Sequence, residues 1–127
     1  MGNGTSIGRV RGLGSAHTGA HHWLAIRYTS IGSLLLTVWF LVSLLLLPSL
    51  DYMSVREWLA RPVAATGMAL FVIVNFWHAM QGVQEVLEDY VHQPATKLAS
   101  VIALRLVAVI GGAFGLFCVV RLALGGA

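Results

Sequence analysis

The residues best equipped for chemistry lie in one run, His78-Ala79-Met80-Gln81-Gly82-Val83-Gln84-Glu85-Val86-Leu87-Glu88-Asp89-Tyr90. It places an imidazole inside an apolar stretch, and an acid and a phenol where that stretch ends. A neutral imidazole at bilayer depth can hold a metal through a ring nitrogen. Asp89 and Tyr90 at the interface can hydrogen-bond an amphipathic ligand whose tail stays in lipid. On a helix rising about 1.5 Å per residue the two features stand roughly 18 Å apart, so one helix would carry two sites.

The elements that must position them follow from composition. The chain has 127 residues, 57% of them hydrophobic and only 10% charged, which excludes an ordinary soluble domain and fits one small membrane domain, residues 1–127. Charged residues leave three long gaps, giving expected transmembrane helices at about 28–50, 62–90 and 98–121. The third contains Arg105, which must snorkel to the interface or meet a partner. The fold class is therefore an all-α membrane protein with three spans.

Residues 1–23 form a Gly-rich segment with Arg9, Arg11, His17, His21 and His22. No apolar h-region marks it as a signal peptide, and the Met1-Gly2 start that fits a myristoylation pattern is set aside because three helices already anchor the chain. The connections near 51–61 and 92–97 are expected to be short; Pro62 suits a first helical turn and Pro94 a break. Placing the N-terminus in the cytoplasm puts Arg9, Arg11, Arg27, Lys97 and Arg105 inside and Arg56, Arg61 and Arg121 outside, the arrangement the positive-inside rule prefers. The formal net charge of +3 is thus topological and no nucleic-acid signal.

Gly67, Phe71, Asn75, His78, Gly82, Glu85 and Asp89 recur at steps of three or four and share one helix face. So polar a stripe is expected to face a partner helix, a cofactor or water. Gly82, one turn beyond His78, either leaves room for a flat macrocycle or permits close helix packing; the residues alone leave both open. No second histidine is expected at mid-membrane, so a six-coordinate haem iron on His78 would need its other axial ligand from another chain. Cys118 reads as a small buried apolar residue, and Gly111 with Gly115 as a G-x-x-x-G helix contact.

These residues carry a family resemblance. Gly8-Arg9-Val10-Arg11-Gly12-Leu13-Gly14-Ser15-Ala16, Gly19-Ala20-His21-His22-Trp23 with Arg27 and Thr29, and then His78, Gly82, Val86, Asp89, Tyr90, Val91 and His92 resemble the hydrophobic membrane-anchor subunit of succinate dehydrogenase, the D-type subunit of proteobacterial complex II. The resemblance spans nearly the whole chain, the last helix matching in hydropathy alone. It implies three transmembrane helices packed against a cytochrome b556 partner subunit, in the cell inner membrane, beneath a flavoprotein with FAD and an iron–sulfur subunit with its clusters.

Residue by residue, the resemblance implies His78 as an axial ligand of haem b, Tyr90 as the hydroxyl that hydrogen-bonds a ubiquinone carbonyl, and Asp89 as its acidic neighbour. His21 and Arg27 match positions that meet haem propionates, although Arg27 reads equally as a positive-inside anchor. Glu85 departs from the pattern, which commonly has Gln there. The chain itself would be non-catalytic, tethering the soluble subunits while succinate oxidation in the tricarboxylic acid cycle proceeds elsewhere in the complex. A structural scaffold without cofactor and a small transporter are the alternatives; only the cytochrome reading gives a reduced b-type haem band.

Overall fold

The computed structural model describes residues 19–125, all in helices or the short links between them. In chain order these are α1 (Gly19–Leu45), α2 (Tyr52–Leu59), α3 (Pro62–Tyr90) and α4 (Pro94–Ala123), and there is no strand among the described residues. Arg9, Arg11 and His17 lie outside the described residues, as does the side chain of His22.

Three of the helices are long and apolar enough to cross a membrane. With 27, 29 and 30 residues they run roughly 40–45 Å, against about 30 Å of hydrocarbon, so their ends extend into the interfaces. The first begins at Gly19 and not near residue 28, so Trp23, expected to close the N-terminal segment, belongs to its opening turns, as does Arg27. Hydropathy places the apolar stretch of a helix but not the polar turns that prolong it.

Prolines set the boundaries of the other two. Arg61 and Gln93 are extended, with ψ of 130° and 120°, and Pro62 and Pro94 open the helices that follow. A proline ring crowds the preceding residue out of the α region and is itself preorganised for a first helical turn. Between them Val91 leaves α3 with ψ 102° and the chain reverses, making α3 and α4 antiparallel neighbours.

The 51–61 connection is not a plain link, because it contains α2. Asp51 caps this helix by accepting from the Ser54 amide at 3.2 Å, and the hydroxyl of Ser49 also donates to its carboxylate. Arg56 donates through Nη2 to the Gly125 carbonyl at 2.9 Å, fastening α2 to the end of α4, where Gly125 takes φ +77°. A search for ~20-residue apolar runs cannot register a helix of eight residues.

The helix α3 is central: α1 packs on it, α4 packs on it, and α1 and α4 do not meet among the described residues. Small residues let the backbones approach. A Cβ on Gly67 would fall 2.4 Å from the Trp39 ring, one on Gly111 2.6 Å from Phe76, and one on Gly115 3.0 Å from Val72. The G-x-x-x-G of α4 is therefore the groove that receives α3. Little else is buried: Leu59, Ala64, Val119 and one polar side chain, Gln81. Leu34, Leu35, Phe114 and Phe117 are more than half exposed on the outer faces, an apolar exterior that lipid or neighbouring subunits must cover.

Candidate functional site

The α1/α3 seam organises the site. Along α3 the polar stripe meets α1 in order: Gly67 under Trp39, Phe71 against Phe40 with ring centroids 4.9 Å apart, Asn75 accepting from the Ser33 hydroxyl at 2.7 Å, then His78 beside Thr29. The partner helix expected for this stripe is thus, over its first half, the first helix of the same chain. An amide or hydroxyl at membrane depth is costly unless hydrogen-bonded. Asn75 is further satisfied by donating to the Phe71 carbonyl at 2.9 Å.

The half-buried His78 places Nδ1 3.1 Å from Thr29 Oγ1. The same hydroxyl lies 3.0 Å from Gln81 Oε1, 2.9 Å from the Ala25 carbonyl and 3.0 Å from that of Ile26. Gln81, only 7% exposed, is the one buried polar side chain among the described residues. Nε2 of His78 makes no hydrogen bond among the described residues, and no group of three or more ligating side chains gathers there. A metal on Nε2 would take its remaining ligands from outside this set. One turn on, Gly82 is exposed, and a Cβ built there would meet nothing within 4 Å.

Sequence reading did not single out Gln81 or assign Thr29 a task. Gln81 sits three residues after His78 and so on its face, which was a usable signal. Thr29 had none for this task, because the side chains it meets, His78 and Gln81, are far away in sequence.

Asp89 and Tyr90 close α3, both exposed, Tyr90 to 79%. The Tyr90 carbonyl accepts from His92 Nδ1 at 3.1 Å. His21 and Arg27 are exposed on α1 at the same end of the molecule. The Arg27 guanidinium lies 4.0 Å over the ring of Trp23, a cation–π contact on its own helix. At about 100° per residue Arg27 leaves α1 roughly 200° around from Thr29, so no direct contact joins it to His78.

Beside the Asp89–Tyr90 end, Gln84, Glu88, Lys97 and Arg105 line an open groove of about 490 Å³ between α3 and α4. Arg105 donates to Gln84 Oε1 from Nε at 3.4 Å and Nη2 at 3.1 Å, and Lys97 donates to the Glu88 carbonyl at 2.9 Å. The partner required for Arg105 is therefore an amide of this chain. Cys118 is half-buried near the other end of α4.

Residues 1–112 match the family model for the succinate dehydrogenase/fumarate reductase transmembrane subunit. A relative from Rickettsia bellii, named succinate dehydrogenase hydrophobic membrane anchor subunit, is 33% identical over 104 residues, covering 82% of this chain and 83% of its own length. One of the same name from Rickettsia conorii is 30% identical over 82% of this chain and 83% of its own. That from Paracoccus denitrificans is 32% identical over 73% and 71%.

Proposed function

Because the chain belongs to the succinate dehydrogenase/fumarate reductase transmembrane subunit family, we propose that it does more than anchor: it contributes the His78 ligand of a haem b and the Tyr90 and Asp89 portion of a ubiquinone-reduction site. It is a multi-pass inner-membrane protein and a non-catalytic anchor subunit of succinate dehydrogenase. Tethering of the flavoprotein and iron–sulfur subunits, packing against a cytochrome b556 subunit that would supply a second ligand to the haem, and a cytoplasmic N-terminus complete the reading.

One observation carries it. The imidazole of His78 sits half-buried in an apolar helix with Nδ1 beside a hydroxyl and Nε2 left for a ligand, and Gly82 one turn away presents open space. These residues fit a flat macrocycle carrying iron. When bound, haem would accept and release one electron at a time. His78 would hold the group, and the seam keeps α1 and α3 in register beside the His78 ring.

At the far end of the stripe, Tyr90 presents a phenol that can donate to a quinone carbonyl, and Asp89 beside it offers a carboxylate that can hold or pass a proton. Their exposure in the isolated chain suits a pocket completed by other subunits. The Arg27 guanidinium, and with it the His21 ring, would be available to propionates at that end. Pyridine haemochrome analysis of the His78→Leu complex tests the central assignment: haem should be lost, and an unchanged low-spin bis-histidine spectrum would refute it.

A further inference from the structure

Four acceptor or amphoteric atoms converge on one hydroxyl. Thr29 Oγ1 has the Ala25 carbonyl at 2.9 Å, the Ile26 carbonyl and Gln81 Oε1 each at 3.0 Å, and His78 Nδ1 at 3.1 Å. A threonine hydroxyl owns a single proton and two lone pairs. Three oxygens compete for that proton, and two of them are backbone carbonyls that cannot donate. Donation of the proton to any one of these oxygens leaves lone pairs facing the ring. Turning the Gln81 amide end for end leaves this unchanged: its NH2 would then donate to Oγ1, and the hydroxyl would still donate to Ala25 and receive from His78.

We infer that Thr29 is a positioning residue that selects the tautomer of His78, accepting from Nδ1–H so that the lone pair stands on Nε2, the nitrogen with no other partner. The inference rests on the haem-ligand reading and deepens it. A neutral imidazole carries one ring proton, and the hydrogen bond made by one nitrogen decides what the other can bind. The Thr29–His78 pair also fixes the ring's rotation, since Oγ1 is itself held to the α1 backbone a turn earlier. Gln81, buried at 7% exposure, braces the hydroxyl from the α3 side. The acceptor is a neutral hydroxyl and not a carboxylate, so the ring keeps its Nδ1 proton, and its donor strength towards iron is raised only modestly.

The test uses the intact complex with Thr29→Ser, Thr29→Val and Thr29→Ala, beside His78→Leu. Readouts are haem transfer to excess apomyoglobin, the haem midpoint potential and the low-spin EPR g values. Loss of an outer partner of a metal-ligating histidine typically weakens retention about 10–100-fold. Thr29→Val and Thr29→Ala should release haem at least about tenfold faster, with the potential moved upward because a less basic ligand favours the ferric state less. Thr29→Ser, which keeps the hydroxyl and loses a methyl, should stay close to the unaltered complex. If all three variants match the unaltered complex, or if Thr29→Ser shifts as far as Thr29→Ala, the tautomer inference is overturned while loss of haem in His78→Leu leaves the ligand reading standing. A normal haem in His78→Leu would instead overturn the ligand reading itself. Should Thr29→Val fail to accumulate, the comparison of Thr29→Ala with Thr29→Ser decides the question.

Discussion

Two glycines of α3 should respond in opposite ways to the same added methyl. At Gly67 a Cβ would lie 2.4, 2.6 and 2.9 Å from three carbons of the Trp39 ring, against an ordinary contact of 3.4 Å or more, so the indole must retreat by about an ångström. Trp39 is not at liberty to do so cheaply, because its other neighbour is Trp58 of α2, with centroids 5.8 Å apart. Overpacking of this sort costs about 1–3 kcal/mol, and replacing Gly by Ala within a helix returns about 1 kcal/mol, so Gly67→Ala should lose up to ~2 kcal/mol. At Gly82 no atom of the chain lies within 4 Å of the Cβ position, and Gly82→Ala should gain from helix propensity alone. Larger replacements sharpen the contrast. Gly82→Leu should leave accumulation of the chain intact and diminish the b-type haem band, because the side chain enters the space assigned to the macrocycle. Gly67→Leu should reduce thermal stability of the purified complex without a selective effect on haem. Thermal inactivation and a reduced-minus-oxidised spectrum on each complex suffice. A Gly82→Leu complex with full haem, or a Gly67→Leu complex as stable as the parent, would refute the reasoning.

Tyr90→Phe should slow quinone-dependent turnover by several-fold to about a hundredfold, since one hydrogen bond is worth about 0.5–1.5 kcal/mol and an orphaned acceptor more; succinate oxidation with an artificial acceptor that draws on the soluble subunits should hold, and a parallel fall in both would make Tyr90 structural. A reporter fused at Ala127 should be active only on the periplasmic side, as three spans from a cytoplasmic N-terminus require. Donation from Ser49, then from the Ser54 hydroxyl and amide, holds the Asp51 carboxyl below its ordinary range. Its cap on α2 is thus fully present above the unfolded carboxylate pKa and lost as pH falls through the lowered folded value, so protection of the Tyr52–Leu59 amides, measured against their intrinsic exchange rates, should fall as pH drops below the ordinary carboxylate range, and Asp51→Ala should abolish that loss.

How much was legible can be judged residue by residue. Pro62, Pro94 and the apolar gaps were readable because span length and helix initiation are properties of a local window. The polar stripe of α3 was visible through its 3.6-residue period, but half of what it faces, Trp39, Phe40 and Ser33, was not, since periodicity identifies a face and not its occupant. The helix α2 escaped because eight residues are too few to carry a spanning hydropathy signal. Its Asp51 cap and Ser54 were the overlooked marks.

By itself the sequence determined that the chain is a three-span, all-helical membrane protein and that one histidine falls within a long apolar helix, because burial in lipid demands long uninterrupted apolar runs with internally bonded backbones. The tertiary structure alone decided that His78 Nδ1 meets Thr29, that Gln81 is buried against the same hydroxyl, and that Arg105 is satisfied by Gln84. Thr29 and His78 are 49 positions apart in the chain. Their meeting depends on the axial register of two antiparallel helices, which is set by shape, Trp39 over Gly67 and Val74 over Gly32. Register of that kind is a property of packed surfaces and leaves no periodic trace in the order of residues.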